Sequence, residues 1–328
     1  MAPLINVLPF VAVKNSRRFY IALAAVLVLA SSIRSVSASA FVIVDSQTGH
    51  VLQDQDARKK RQVGSLTKIA TAMVVLDWAE HKSGNLNQMV VISPDAFVGT
   101  GENNIGFQPG DAISLRDLLY AALVQSDNIA AYSLADYVGS TIGSLMPVQG
   151  QGKFTGIGAF VMQMNALAKQ LKMERTLFVN PHGIDDNVKP LPYSTAEDMA
   201  RLTRYAMNRA GFRFYVSQKE RQIAWQRGSR KMAYLLRNTN ELLGSRGVDG
   251  VKTGRTARAG DCLIVSANRE SEIVREGAMT AVYPRHLLIV LLGSTNRFAE
   301  GAALIDRGWH LYDQWAAAGR MVDPKKVL

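Results

Sequence analysis

Ser65 and Lys68 lie three residues apart at the start of the apolar run VGSLTKIATAMVVLDWAE, residues 63–80. On a helix, this spacing places the serine hydroxyl and the lysine amine on one face, within reach of each other. A hydroxyl beside an amine that has lost its proton forms a pair of nucleophile and general base. Both residue types are common, so a Ser-x-x-Lys pair occurs by chance roughly once in a chain of this size, and alone it decides nothing.

Two further motifs give the pair its meaning. Ser126-Asp127-Asn128 stands at the junction of two helical patterns, and Lys252-Thr253-Gly254 stands just before an apolar strand pattern. A Ser-x-Asn is common, and Ser294-Thr295-Asn296 is another, whereas a fixed Lys-Thr-Gly occurs by chance in about one chain in ten. In this order, the three motifs resemble the Ser-x-x-Lys, Ser-x-Asn and Lys-Thr-Gly set of the penicillin-recognising serine enzymes.

The resemblance extends beyond the three motifs. The segments TLFVNPHGIDD (176–186), YSTAEDMARL (193–202) and VDGVKTGRT (248–256) resemble the low-molecular-mass penicillin-binding proteins, the serine-type D-alanyl-D-alanine carboxypeptidases. The resemblance covers the chain from about residue 41 to about residue 318. It implies an α+β penicillin-binding-protein/serine β-lactamase-like transpeptidase fold, with a mainly antiparallel sheet flanked by helices.

The resemblance implies three catalytic residues. Ser65 is the expected nucleophile, and the N-terminus of its helix favours developing negative charge. Lys68 is the expected base. An ordinary lysine is a poor base at neutral pH, so we expect burial beside a second cation, Lys252, to lower its pKa. Ser126 is expected to relay a proton toward the leaving amine.

The expected substrate-binding residues are the rest of the motifs. Asn128 would hold the amide backbone of the substrate, and Lys252 with Thr253 would bind its terminal carboxylate. Gly254 would let the substrate lie close along the strand, and the backbone N–H groups of Ser65 and Arg255 would form the oxyanion hole.

Recognition of the carboxylate departs from the pattern of the family. In relatives, an arginine shortly before Lys-Thr-Gly can help to hold the carboxylate, but the corresponding stretch here reads Asn238-Thr239-Asn240. Arg237 and Arg255 are nearby in the sequence, and neither matches the motif.

The elements that must position these motifs are strands at both ends of the chain and helices between them. FVIVDSQTGHVLQDQD (41–56) predicts a hairpin, and CLIVSA (262–267) and HLLIVLLGS (286–294) predict buried strands. Helices are predicted over 65–80 and 297–317 and, between them, over 114–124, 128–138, 159–171 and 195–209, with caps at Ser114, at Asn128 and at Ser194 or Thr195. This order predicts one α+β domain, 41–320, with a surface loop at 143–158 and no C-terminal β domain.

The N-terminus predicts export. Lys14, Arg17 and Arg18 precede the apolar run FYIALAAVLVLA, and small residues follow, which is typical of a secretory signal over residues 1–40, cleaved after Ala38 or Ala40. An uncleaved anchor is the alternative, and it would be the chain's contact with the membrane. The net charge is +11, and the four basic residues of 1–40 account for 4 of it. The remaining +7 favours an anionic partner and location at the cell wall, in the periplasm or another extracytoplasmic space.

The predicted function is removal of the terminal D-alanine from peptidoglycan stem peptides through an acyl-enzyme at Ser65, with β-lactams as covalent inhibitors. A DD-endopeptidase that cuts crosslinks is the nearest alternative, since short members of the family include such enzymes. A class A β-lactamase is disfavoured because no Glu-x-x-x-Asn follows Ser126 in the region before Lys252. A non-catalytic wall-binding protein is disfavoured because all three motifs are intact.

Other chemistries find little support in the sequence. The five histidines have no spacing typical of metal ligands, so we expect no metal, and the family implies no cofactor. No nucleic-acid-binding motif is present. The single cysteine, Cys262, lies in an apolar segment and is expected to be a small core residue. His182 is expected to stabilise its loop, and the run at 58–61, ArgLysLysArg, is expected to be a solvated loop.

Overall fold

The apolar runs at the two ends of the chain meet in one sheet. The protein is described from a computed structural model, which covers residues 38–81, 84–144, 156–276 and 279–328. The strands of this sheet are β1 (Ala40–Asp45), β2 (Val51–Gln55), β7 (Val248–Thr256), β8 (Gly260–Glu276) and β9 (Met279–Ser294). They are antiparallel, in the order β2-β1-β9-β8-β7, so the predicted hairpin and both predicted strands are confirmed.

A second sheet of four antiparallel strands was not predicted. It contains β3 (Met89–Val91), β4 (Ala112–Ser114), β5 (Glu220–Arg227) and β6 (Arg230–Arg237), in chain order. Charged residues occupy much of β5 and β6, and this obscures the alternation by which a half-buried strand is recognised.

Seven α-helices lie in the described part of the chain. They are α1 (Lys68–His81), α2 (Leu115–Val124), α3 (Asn128–Gly143), α4 (Gly156–Gln170), α5 (Ala196–Met207), α6 (Ala210–Val216) and α7 (Arg297–Ala317). All the predicted helices are present. Among these helices and within these residues, none is long and apolar enough to cross a bilayer.

The segment 287–292 of β9 is apolar at every position because both faces of the strand are covered there. Leu288, Val290 and Leu292 belong to the main core, which they share with the helices around α1. The alternate residues, Leu287 and Ile289, approach Gly308 on α7. Successive side chains of a strand point to opposite faces, so a continuous apolar run is what a strand buried on both faces requires.

The helix caps follow the sequence with one correction. Ser114 Oγ accepts from Asp117 N at 3.1 Å, and Thr195 Oγ1 accepts from Asp198 N at 3.0 Å, as predicted. The predicted cap at Asn128 is wrong. Asp127 caps α3 by accepting from Ala130 N at 2.7 Å, which leaves the side chain of Asn128 for another purpose.

Two predictions concern residues that the structure does not fully describe. Residues 1–37 of the predicted signal segment and residues 145–155 of the predicted surface loop lie outside the described ranges. The described ends of the predicted loop are helical, since Gly143 is the last residue of α3 and Gly156 is the first of α4, so the predicted bounds 143–158 are too wide. The domain bounds 41–320 stay a prediction.

Candidate active site

Ser65 lies on a 3-10 turn, Gly64–Thr67, that leads directly into α1. The turn packs against β7. A Cβ atom at Gly64 would lie 3.0 Å from the backbone nitrogen of Arg255, and the φ of Gly64 is +52°, so only glycine fits there without strain. The residue before Ser65 therefore lies beside the backbone amide of Arg255. The Arg255 side chain points outward, 75% exposed, with its Nε 3.5 Å from Asp261 Oδ1.

Lys68 is the first residue of α1, and its side chain is completely buried. Its Nζ lies 2.9 Å from Ser65 Oγ, 2.6 Å from Asn128 Oδ1 and 3.0 Å from the carbonyl oxygen of His182. All three partners are neutral. A neutral amine has two N–H bonds and one lone pair. With the N–H bonds directed at the amide and carbonyl oxygens, the lone pair faces the hydroxyl of Ser65.

The pKa of Lys68 is lowered from its ordinary value of 10.5 to about 7. Burial is the main cause, because an ammonium group loses its hydration there, and the charge of Asp127 acts in the opposite direction. Burial also holds the pKa of Lys252 well below its ordinary value, and repulsion from Lys68 adds to this. A large fraction of Lys68 is therefore a free amine near neutral pH.

Asn128 holds Lys68 in place through an oriented side-chain amide. Its Nδ2 donates to the carbonyl oxygen of Thr100 at 2.7 Å, which directs Oδ1 at Lys68. This hydrogen bond connects the segment around Thr100 to the site, and no sequence motif predicted it. The structure thus places the predicted substrate-binding amide of Asn128 on Lys68 and Thr100.

Ser126 lies on the turn between α2 and α3, with a left-handed φ of +66°. Such a conformation is costly for a residue other than glycine and must be held by its surroundings. Asp127 N donates to the carbonyl of Ala121 at 3.0 Å on one side, and the Asp127 cap fixes the other side. The turn lines a cavity of about 210 Å³, together with Glu102, Asn104, Gln125, Asp127 and Asn128.

Lys252, Thr253 and Gly254 lie within β7, not just before a strand as the sequence suggested. Lys252 and Thr253 are buried, and Lys252 Nζ donates to the carbonyl of Thr253 at 3.0 Å. A Cβ atom at Gly254 would lie 2.6 Å from the carbonyl oxygen of Val63. Close packing of β7 against the segment that carries Ser65 therefore requires glycine here.

Three more residues belong to this site and were not assigned to it from the sequence. Thr239 Oγ1 lies 2.7 Å from Thr253 Oγ1, and Arg297 Nη1 donates to the carbonyl of Gly254 at 2.8 Å. The carbonyl of His182 binds Lys68, while its ring Nδ1 accepts from Ile184 N at 3.2 Å. Burial lowers the pKa of His182 to about 3, so the imidazole is neutral and holds its own loop.

One group of potential metal ligands lies at the other end of α1. Asp77, Glu80 and His81 present ligand atoms within 4.8 Å of one another. Arg209 already occupies this group, 3.4 Å from Asp77 and 2.9 Å from Glu80. The helix Lys68–His81 has 14 residues, and at a rise of 1.5 Å per residue His81 lies about 20 Å along the helix from Lys68.

The fold and the motifs agree with what comparison with known proteins finds. The family model of the D-alanyl-D-alanine carboxypeptidases matches residues 28–281. The chain therefore belongs to the D-alanyl-D-alanine carboxypeptidase family of serine peptidases. This confirms the family inferred from the sequence.

Individual relatives support the same family and fold. The D-alanyl-D-alanine carboxypeptidase DacC of Escherichia coli is 32% identical over 289 residues, 85% of this chain and 63% of that protein. A D-alanyl-D-alanine endopeptidase of Pseudomonas aeruginosa is 31% identical over 239 residues, 71% of this chain and 67% of that protein. The chain thus spans less than two thirds of the length of DacC.

A solved structure confirms the predicted fold class. The crystal structure of the Streptomyces K15 DD-transpeptidase superimposes with a TM-score of 0.69 at 28% identity, covering 84% of this chain and 98% of that one.

Proposed function

We propose that the protein is a serine-type D-Ala-D-Ala carboxypeptidase that acts on peptidoglycan stem peptides through an acyl-enzyme at Ser65. The observation that carries the proposal is the contact of 2.9 Å between Ser65 Oγ and the buried amine of Lys68, whose pKa is about 7. A base with a pKa near the working pH is the most effective one, because it is largely unprotonated and still takes up a proton readily.

The proposed reaction begins with attack by Ser65. Its hydroxyl proton moves to the lone pair of Lys68 as Oγ bonds to the carbonyl carbon of the penultimate D-alanine. The oxyanion accepts from the backbone N–H groups of Ser65 and Arg255. The C–N bond then breaks, and the proton passes by way of Ser126 to the amine of the departing D-alanine. Water hydrolyses the ester on Ser65 and restores the enzyme.

Lys252 and Thr253 are proposed to bind the terminal carboxylate of the substrate. A carboxylate arriving beside Lys252 favours the protonated form of that lysine. The positive charge on Lys252 then disfavours protonation of Lys68, because two neighbouring ammonium groups repel each other. Binding of the anionic end of the substrate thereby helps to keep Lys68 a free base.

A DD-endopeptidase is the second candidate. It is favoured by the 31% identity with the endopeptidase of Pseudomonas aeruginosa, which is close to the identity with DacC. The same nucleophile and base serve both reactions, so the two differ in the leaving group that the site accepts, which is a D-alanine or the side-chain amine of a crosslinked residue.

Export is also part of the proposal. Ala40 is the first residue of β1 and pairs with Leu292 in the sheet. The hydrogen bond from the backbone nitrogen of Ala38 to Glu300 Oε2, 2.9 Å long, is lost with either cleavage and does not distinguish them. Cleavage of the signal after Ala40 would remove the first residue of β1, whereas cleavage after Ala38 leaves the strand whole. We therefore place the cleavage after Ala38, which N-terminal sequencing of the exported protein would test.

Product analysis tests the activity. The purified protein is incubated with a pentapeptide stem and, separately, with crosslinked dimers, and the products are followed by mass. Loss of one alanine from the pentapeptide supports the carboxypeptidase, and conversion of dimers into monomers while the pentapeptide persists supports the endopeptidase. Ser65→Ala is the control. If neither substrate changes and Ser65→Ala behaves like the unaltered protein, both candidates are wrong.

A further inference from the structure

The turn Asn238-Thr239-Asn240, between β6 and β7, places a second hydroxyl beside the strand that carries Lys252 and Thr253. The side-chain oxygens of Thr239 and Thr253 are 2.7 Å apart, so one hydroxyl donates to the other. We propose that Thr239 is a positioning residue that fixes the Thr253 hydroxyl as a donor and so makes the site select substrates whose leaving group ends in a carboxylate. This rests on the proposed function, because it assumes that the leaving group lies at Thr253.

The hydrogen-bonding capacity of the two hydroxyls gives the reason. Each hydroxyl has one proton to donate and two lone pairs. When Thr239 donates to Thr253, the proton of Thr253 is free to point at a ligand. A carboxylate only accepts hydrogen bonds, so it fits this arrangement, and a hydrogen bond to a charged acceptor is stronger than one to a neutral group. An ester in its place has no charge and gains less.

The two asparagines hold Thr239 in this position. Asn238 Nδ2 donates to the carbonyls of Val216 at 3.3 Å and of Gln218 at 2.9 Å. Asn240 is buried, and its Nδ2 donates to the carbonyl of Gly250 on β7 at 3.1 Å. The turn is therefore fastened to β7 on one side and to the end of α6 on the other, and the Thr239 hydroxyl has little freedom to leave Thr253.

The backbone of Thr239 connects the same turn to the end of α2, next to the turn that carries Ser126. Thr239 N donates to the carbonyl of Val124, the last residue of α2, at 3.1 Å. Thr239 thus connects the Ser126 turn with the strand of Thr253. Thr253 is fixed a second time, because its carbonyl accepts from Lys252 Nζ. The backbone of Thr253 is therefore held by Lys252, and the contact with Thr239 determines the direction of the Thr253 hydroxyl proton.

The test uses two acyl thioesters with the same reactive bond, one whose thiol leaving group ends in a free carboxylate and one in which that carboxylate is a methyl ester. Release of thiol gives kcat/KM for each. Thr239→Val, which keeps the shape and removes the hydroxyl, should lower kcat/KM for the carboxylate substrate about tenfold, mainly through KM. It should change the ester by less than about twofold. Thr239→Ser should restore the preference.

Two controls separate positioning from a structural effect. Thr280→Val, at an exposed position on β9, should leave both substrates unchanged. In a Thr253→Val background, Thr239→Val should cause no further loss, because the hydroxyl that it orients is absent. Equal losses on both substrates, failure of Thr239→Ser to restore the preference, or additive effects with Thr253→Val would each overturn the inference.

The same experiment distinguishes failure of this inference from failure of the proposed function. If the unaltered protein hydrolyses both thioesters but no stem peptide, the peptidase proposal is wrong, while the preference for a carboxylate can still be compared between variants. If the unaltered protein shows no preference between acid and ester, the inference about Thr239 is wrong, whatever the peptide results are.

Discussion

The two ends of helix α1 differ in the partners that they give to an ionisable side chain. At the C-terminal end, Asp77 is paired, since Tyr205 Oη donates to it at 2.9 Å and Arg209 Nη2 lies 3.4 Å away. At the N-terminal end, Lys68 is fully buried, and its three hydrogen-bond partners are neutral oxygens. Burial raises the pKa of Asp77, but the hydrogen bond from Tyr205 and the charge of Arg209 oppose that shift.

The difference distinguishes Asp77, a structural ionic group, from Lys68, whose amine can accept a proton near neutral pH. An opposite charge stabilises a buried ion and keeps it ionised, which suits a structural contact. Neutral partners hold the amine in place but stabilise its charge less than an opposite charge would, and burial lowers its pKa to about 7. The contrast explains why Lys68 is a candidate base and why the pair of Asp77 with Arg209 is a structural contact.

The largest expected effect is on acylation of Ser65. Lys68→Arg keeps a positive charge and cannot act as a base, so we expect the second-order rate of acylation by a fluorescent penicillin to fall on the order of 10³-fold. The matched control, Arg209→Met at the other end of α1, should leave the rate unchanged. A Lys68→Arg variant that acylates at the normal rate would remove Lys68 as the base.

The next effect is on the pH dependence of stability. Because the folded pKa of Lys68 lies below its ordinary value, the unfolded chain binds a proton that the folded protein lacks between pH 7 and 10.5. The free energy of unfolding, relative to Lys68→Met, should therefore rise by about 2 kcal/mol from pH 7 to about pH 9 and stay nearly flat below pH 7. Urea unfolding of both proteins across this range measures the difference. A difference that does not change with pH would contradict the lowered pKa.

A smaller effect is expected from Asp127, whose charge opposes the lowering of the Lys68 pKa. The charge of Asp127 raises the pKa of Lys68, so Asp127→Asn should lower it and move the midpoint of the acylation pH profile downward by less than about one unit. The asparagine keeps the side-chain oxygen that caps α3, so stability should change little. An upward shift would show that Asp127 acts in another way.

The smallest effect is expected at the paired end of the helix. Arg209→Met removes ion pairs that are partly exposed, and we expect the free energy of unfolding to fall by no more than about 1 kcal/mol. Thermal or urea unfolding at low and high salt measures it, and the loss should shrink at high salt. A loss of several kcal/mol would mean that Arg209 does more than pair two surface carboxylates.

Much of the fold was predictable because the relevant patterns are local or strongly apolar. The first hairpin, the runs that became β8 and β9, and the helices capped by Ser114 and Thr195 all follow from such patterns. The second sheet did not, because two of its strands have only three residues each and the other two are rich in charge. Pairing with neighbours in space, not the local sequence, makes these segments strands.

The site was predictable in its motifs and not in its connections. The sequence pointed to Ser65 and Lys68, but the groups that hold Lys68, the His182 carbonyl and an Asn128 amide oriented by Thr100, depend on contacts between distant segments. Backbone carbonyls carry no signal in the sequence. The expected burial does lower the pKa of Lys68. In addition to burial, the expected repulsion between the two lysines lowers the pKa of Lys252 instead.

The most direct test of the account is the pH dependence of acylation of Ser65 in the unaltered protein. Intact mass measured after short incubations with a penicillin, from about pH 5 to about pH 10, gives the second-order rate at each pH. If Lys68 is the base, the rate should rise with one ionisation, and its midpoint should be near 7, where the amine loses its proton. A rate that is independent of pH, or one that rises only near pH 10, would contradict the claim that a neutral Lys68 activates Ser65.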